Sequence, residues 1–200
     1  MRIDIVIYPG FDELDAIAPF EVFKNAALVG ADFEVRLVSS RGAGDVVASH
    51  GLKVMCSDAW GEGSVADIVI IPGGGWIDGS LAGARAEAAR GDIPARLAQL
   101  HEAGVTIAAV CTGAMLLATA GLLRGRPAIT HHGAIDDLRA ADAKIIDARV
   151  VDDGDIITAG GVTSGLDLAL WLVERFASPA IAHAVERQME YKRRGDVWRA

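Results

Sequence analysis

Cys111 follows Val105 to Val110, the apolar run VTIAAV, and is itself followed by Thr112-Gly113 and by helix formers from Ala114 to Ala120, with Gly121 placed to end a helix. A side chain held in a sharp turn between a buried strand and a helix projects into the cleft that opens there. Backbone N–H groups at a helix start favour a thiolate in that position, and serine hydrolases expose their nucleophile with the same strand, turn, helix unit. Cys111 is therefore the candidate nucleophile, weighed against the ordinary role of a free cysteine as a small buried hydrophobe. Asp15, between Leu14 and Ala16 in an apolar stretch, is costly to bury as a charge. Burial would raise its pKa and make it a usable proton donor; helix capping is the competing reading, and Asp12 and Glu13 beside it read as surface acids. Gly73, Gly74 and Gly75 follow Pro72 at the end of the strand-like DIVII. They permit close backbone approach and offer N–H groups to a developing negative charge, with a plain tight turn as the alternative.

Other residues of reactive type carry less. The glycine run lacks the Lys and Ser/Thr of a phosphate loop and the spacing of a dinucleotide fingerprint. His131 and His132 follow Ala128-Ile129-Thr130, and neighbours on an extended chain point opposite ways, so one of the two is expected in the cleft. His50, His101 and His183 have no acid or thiol pattern around them and read as surface or core histidines. Cys56 sits in a strand with no acid or glycine arranged about it and reads as structural. The two cysteines have no metal-ligand spacing and suit a reducing compartment.

The elements that must position these groups alternate. Arg2 to Tyr8 reads as a buried strand ended by Pro9-Gly10, and a helix is expected to begin between Asp15 and Pro19, because proline is tolerated only in an early turn. Phe33 to Val38 alternates as a strand, and residues 46–49 and 52–55 flank His50-Gly51 as a hairpin appended to the main sheet. Asp67 to Ile71 is a second buried strand. Two helices broken near Gly91 fill Leu81 to Ala103; short strands are expected at Ala128 to Thr130, Lys144 to Val150 and Ile156 to Thr158; helices follow at Val162 to Phe176 and Pro179 to Tyr191. Lys192-Arg193-Arg194 reads as a solvated helix end. The alternation is that of an α/β domain with a mostly parallel sheet, whose ligands bind beyond the carboxyl ends of the strands.

Composition narrows the partners. The chain has 200 residues, is 52% hydrophobic and has a formal charge of -8, which fits one folded domain and disfavours phosphate backbones as partners. Its apolar runs fall short of a membrane span, and Asp4 interrupts what would be a signal peptide, so a cytoplasmic location is expected.

Taken together, Leu14-Asp15-Ala16-Ile17-Ala18-Pro19, Ser49-His50-Gly51-Leu52, Ile71-Pro72-Gly73-Gly74, Val110-Cys111-Thr112-Gly113, Thr130-His131 and Gly160-Gly161-Val162-Thr163-Ser164-Gly165-Leu166-Asp167 resemble the ThiJ/PfpI superfamily over essentially the whole chain. The resemblance implies a class I glutamine amidotransferase-like fold: a flavodoxin-like three-layer sandwich with a small β-hairpin appendage, a single domain over residues 1–200, and a homodimer. The combination of Cys111-Thr112 with Asp15 is similar to the isonitrile-hydrating members. Protease-like members carry Cys-His at the elbow, and deglycase-like members carry Cys-Ala-Gly with an early glutamate. By that resemblance Cys111 is the nucleophile, Asp15 the general acid and base, and Thr112 a hydrogen-bonding residue near the thiol. The N–H groups of Gly74 and Thr112 would line an anion-stabilising pocket with His131 at the substrate, and Gly165 would lie in a mobile helix near the cysteine. The substrate would be a small molecule, with no metal and no organic cofactor. Thr130-His131-His132 departs from the Thr-His-Trp usual in isonitrile-hydrating members, which bears on pocket shape. Two alternatives use the same elbow. One is a ligand or redox sensor similar to those of AraC-like regulators, here without room for a DNA-binding region before Ala200; the other is glyoxalase or deglycase action on reactive carbonyls. Amidotransferase action would need a late His-x-Glu, which is absent.

Overall fold

A computed structural model describes residues 1–61 and 66–200. The first strand, β1 (Arg2–Ile7), is buried from Ile3 onward and leads through Tyr8–Asp12 into α1 (Glu13–Leu28). Then come β2 (Glu34–Ser39), β3 (Gly44–Val47), β4 (Lys53–Cys56), β5 (Asp58–Ala59), β6 (Ile68–Ile71), α2 (Ala84–Arg90), α3 (Asp92–Glu102) and β7 (Thr106–Val110). A 3₁₀ turn at Cys111–Gly113 passes into α4 (Ala114–Thr119), followed by β8 (Pro127–Ala128), α5 (Ile135–Ala140), β9 (Lys144–Ile145), β10 (Val150–Asp152), β11 (Ile156–Ala159), α6 (Ser164–Phe176), α7 (Pro179–Gln188) and β12 (Val197–Arg199).

Eight of these strands form one sheet in the order β12-β10-β11-β7-β6-β1-β2-β5. Its described pairs are parallel except β10 with β11. β6, β7 and β11 are buried almost end to end, as strands covered on both faces must be. The crossover from β1 to β2 runs along the sheet in one direction and that from β6 to β7 in the other. Right-handed connections therefore place α1 on one face and α2 and α3 on the opposite face. Packing agrees: α1, α6 and α7 contact one another, and so do α2, α3 and α4. The direction of winding reverses between β1 and β6, which opens a crevice at their carboxyl ends. β3 and β4 pair as the separate antiparallel hairpin read from the sequence, and this flavodoxin-like sandwich with a hairpin is the expected architecture.

Several boundaries differ from the sequence reading. α1 begins at Glu13, with the Asp12 side chain accepting a hydrogen bond from Leu14 N–H at 3.1 Å. Asp12 is therefore the N-cap, and the competing capping role for Asp15 is overturned. Pro19 lies inside the helix, not at its start; its missing N–H leaves the fourth carbonyl before it, that of Asp15, without the usual helical donor. The late strands are shorter than expected, β8 and β9 forming a separate parallel pair. The basic tail is not a solvated helix end. Arg193 pairs with Glu174 and Glu186, Arg194 N–H donates to Asp167, and the chain continues into β12 at the sheet edge.

Candidate active site

The site assembles from the turns after β1, β6 and β7. β7 delivers Cys111 to the elbow with φ 57°, in the left-handed region, where a residue with a Cβ is strained. Gly113 sits so close to β6 that a Cβ there would lie 2.2 Å from the Ile71 carbonyl oxygen, which is why the turn after Cys111 must carry glycine there. The elbow is pinned on both sides: Cys111 N–H donates to Gly160 O at 2.9 Å, and Thr130 Oγ1 donates to Cys111 O at 2.9 Å.

Asp15 occupies the first turn of α1 and is fully buried. Its Oδ2 accepts from Gly73 N–H at 2.8 Å, whereas Oδ1 is buried with no hydrogen-bond partner among the described residues. Burial first, and the nearby Asp12 charge second, push its pKa well above the ordinary carboxylate range; the Gly73 N–H and the Cys111 thiol beside it pull the other way. The structure thus brings Asp15 and Cys111 together. It also corrects the expected state of the thiol. Cys111 is only 5% exposed, and desolvation, followed by the Asp15 charge, raises its pKa to about 12 despite hydrogen bonds from the Val162 and Thr112 N–H groups. A nucleophile with a depressed pKa, standing open in a cleft, is not what the fold builds: two of the favourable N–H donors are present, but burial and a like charge outweigh them.

Thr112 and Gly74 face each other. Gly74 N–H donates to Thr112 Oγ1 at 3.0 Å, so the Gly74 donor expected for a developing anion is already engaged, and the Thr112 N–H points to the cysteine sulfur. Gly74 has φ 113°, and a Cβ there would stand 2.5 Å from Asp12 N and Gly10 O; only glycine lets the turns after β1 and β6 close on one another. Val162 was part of the motif but had no assigned role. It lies at φ 32°, an outlier for a β-branched residue, with its N–H on the Cys111 sulfur. Gly165 is the second residue of α6, where a Cβ would touch Pro19 and Val110 at 3.3–3.4 Å.

The two adjacent histidines do not point opposite ways. The chain is not extended there; His131 caps a 3₁₀ turn at His132–Ala134, and the two rings lie 4.1 Å apart. His131 Nδ1 accepts from Gly133 N–H at 3.1 Å, which leaves the proton of the neutral ring on Nε2, and burial lowers its pKa. The ring packs on Gly161, one residue before Val162. The other histidines have acid partners that their local sequence concealed: His50 with Glu13, His101 with Asp155, and His183 with Glu186. Glu13 is therefore no free surface acid. Desolvation raises it, but hydrogen bonds from the His50 ring and from nearby backbone N–H groups outweigh that and hold it at about 2. Cys56 is buried and donates to Leu37 O, a structural role.

Two cavities flank the elbow. One of about 690 Å³, lined by residues including Thr130, His132, Gly160 and Ser164, lies behind the Gly160–Gly161 turn and does not reach Cys111. Another of about 630 Å³ is lined by Asp12, Glu13, Leu14, His50, Leu52 and Val162. Neither is lined by Cys111 itself; the second approaches its sulfur through Val162, whose N–H bonds it, and through Asp12, whose charge acts on both Cys111 and Asp15. Among the described residues no cluster of His, Cys, Asp or Glu has the arrangement of a metal site, and no helix is long and apolar enough to cross a membrane.

Residues 1–175 match the model of the DJ-1/PfpI family. The isonitrile hydratase of Pseudomonas putida is 30% identical over 96% of this chain and 78% of its own length. The HTH-type transcriptional regulator CdhR of Pseudomonas aeruginosa is 30% identical over 92% of this chain, which spans 53% of that regulator. Among solved structures, a ThiJ/PfpI family protein from Pseudomonas syringae superposes with a TM-score of 0.83 at 28% identity, covering 96% of this chain and 76% of the other.

Proposed function

The chain belongs to the DJ-1/PfpI family, and from that premise we propose that it is a cofactor-independent, cysteine-dependent hydratase converting isonitriles to N-substituted formamides. The observation that carries the reading is the buried Asp15 carboxyl beside the Cys111 thiol, with one oxygen held by Gly73 and the other free to carry a proton. Attack of a thiolate on an isonitrile carbon leaves carbanion-like density there, so the nucleophile needs a neighbouring acid. The two groups titrate as a pair. Moving the thiol proton onto Asp15 removes the like charge that opposes the thiolate, and the Val162 and Thr112 N–H groups then stabilise the sulfur.

In the first step the Cys111 sulfur bonds to the isonitrile carbon and Asp15 delivers its proton to that carbon, giving a thioimidate and a carboxylate. Water then adds to the thioimidate carbon while Asp15 takes its proton and passes it to nitrogen. As the carbon–sulfur bond breaks, Asp15 takes the hydroxyl proton, the formamide leaves, and the thiolate and protonated acid are restored. The sum is one isonitrile plus one water. Thr112 holds the turn after β6 in place through Gly74, and the substrate role expected for His131 would fall to its Nε2–H, on the ring that packs against Gly161. The reaction calls for no metal. The family implies a homodimer, which sedimentation analysis reads directly.

The test is formamide formation from simple aryl and alkyl isonitriles by the purified protein. Turnover that vanishes in Cys111→Ala supports the hydratase; no turnover across several isonitriles, with Cys111 still alkylated by iodoacetamide, rejects it. The CdhR likeness makes a ligand sensor the reading that then stands, and lactate formation from methylglyoxal distinguishes carbonyl processing.

A further inference from the structure

Tyr8 is the last residue before Pro9-Gly10 at the end of β1 and is one of two tyrosines in the chain. It is fully buried, and its hydroxyl donates to Pro72 O at 2.5 Å and more weakly to Gly73 O at 3.3 Å. The Pro72 carbonyl and the Gly73 N–H belong to one peptide group. Tyr8 therefore grips one end of the peptide whose other end donates to Asp15 Oδ2 at 2.8 Å. Hydrogen bonds linked through a peptide polarise one another: a donor on the carbonyl makes the N–H a stronger donor.

We propose that Tyr8 is a positioning residue for the hydration reaction, holding and polarising the Pro72–Gly73 peptide so that its N–H sets how readily Asp15 gives up and regains its proton. The inference rests on Asp15 as the proton carrier of the reading above. Tyr8 lines neither flanking cavity, so it acts through the peptide without touching substrate. Burial, then Asp15, Cys111, Glu87 and Asp12, hold its phenol well above the ordinary tyrosine range. It thus remains a hydrogen-bond donor wherever the enzyme works. The titratable groups acting on Asp15 are Asp12 on its own turn and Cys111 at the elbow. Tyr8 has Glu87 of α2 in addition. None of these is a cation, so the Gly73 N–H is the strongest group favouring the Asp15 carboxylate, and weakening it should be felt.

The direction follows. Tyr8→Phe weakens the Gly73 donor, destabilises the carboxylate and moves the Asp15 titration to higher pH, by about half a unit for a bond weakened by roughly 10–30%. Replacing Tyr8, the one tyrosine left in a Tyr191→Phe background, with 3-fluorotyrosine makes the phenol a stronger donor and moves the titration to lower pH. Two readouts apply. The protonated Asp15 carbonyl stretch, isolated by infrared difference against Asp15→Asn, is titrated without any substrate. The pH profile of isonitrile turnover should shift in the same sense, with kcat lowered and KM unchanged. Opposite shifts for phenylalanine and fluorotyrosine establish the role. An unmoved infrared midpoint in both proteins, with circular dichroism and Tm intact, overturns it. If Tyr8→Phe does not fold, the fluorotyrosine protein alone decides, since it retains the hydroxyl. Infrared shifts in a protein that turns over no isonitrile would leave the Tyr8–Asp15 coupling standing and remove only its assignment to hydration.

Discussion

The two ends of the central sheet treat their carboxylates in opposite ways. At the amino end of β11, Asp155 pairs with Arg126 and His101, and Asp153 shares the same arginine. Arg126 first, with His101 adding to it against desolvation, holds Asp155 at about 2. At the carboxyl end of β1, Asp15 has, among the described residues, no cation and one orphaned oxygen, and its pKa is raised. The first acid is stabilised as a charge and contributes to holding the fold; the second is destabilised as a charge and is poised to hold a proton. Of the four described non-glycine residues at positive φ, two, Cys111 and Val162, meet at this carboxyl end; Asp142 and Glu190 lie elsewhere. Strain and an unpaired buried acid gathered at one end, opposite a well-paired network, mark that end as the place of chemistry.

Removing the sulfur should break the contrast most severely. Cys111→Ala is expected to lose isonitrile turnover by at least about 10³-fold, as measured by formamide release; a variant keeping wild-type rates would sink the mechanism. Asp15→Asn should cost at least about 10²-fold in kcat, and its effect on stability has the opposite sign. A carboxyl whose folded pKa is raised contributes stability below its unfolded value near 4 and loses it as pH rises through the folded pKa. At pH 7 and above the neutral asparagine should therefore raise Tm, by about 2–4 °C, and a fall in Tm would contradict the assignment of Asp15 as a strained acid. The same variant removes the charge that raises Cys111, so iodoacetamide should alkylate the thiol faster at alkaline pH.

At the other end, Asp155→Asn should leave kcat unchanged and cost about 0.5–1 kcal/mol, a figure kept small because Asp155 is 53% exposed. Its folded pKa is depressed, so that contribution is present above the unfolded value near 4 and fades as pH falls towards 2; the drop of Tm over that acid range should be shallower in the variant. The smallest effect is at the hairpin. The Glu13 hydrogen bond raises the His50 pKa. The clasp to Glu13 is therefore complete below the unfolded histidine value near 6.5 and loosens as pH rises through the folded one. Protection factors at the His50 and Leu52 amides, which donate to Glu13, falling across that range relative to the base-catalysed intrinsic rate would report it, while protection factors that stay constant would place the hairpin's order elsewhere.

Much of the fold was legible in local pattern. Uninterrupted apolar runs ending in Pro-Gly-Gly or Cys-Thr-Gly named the buried strands, and the elbow at Cys111 followed from its place between such a strand and a helix. Local pattern failed where distant partners decide. Arg193 looked solvated because Glu174 and Glu186 were not visible as its neighbours. His131 and His132 looked divergent because the 3₁₀ turn that stacks them is held by a ring-to-backbone bond. Pro19 looked like a helix start because nothing in the sequence showed that the helix could absorb it in its middle.

By itself, then, the sequence determined the alternation of strands and helices, the elbow at Cys111 and an acid at Asp15 that burial would make unusual. Only the tertiary structure decided that the two meet, that the thiol is buried with a raised pKa, that Gly74 N–H is already taken, and that Tyr8 reaches the Pro72–Gly73 peptide. The reason is physical. Hydrophobic period and turn chemistry are properties of neighbouring residues. A proton's affinity for its site depends on burial and on charges and N–H groups contributed by turns far apart in the chain, which winding the sheet in two directions brings to one crevice.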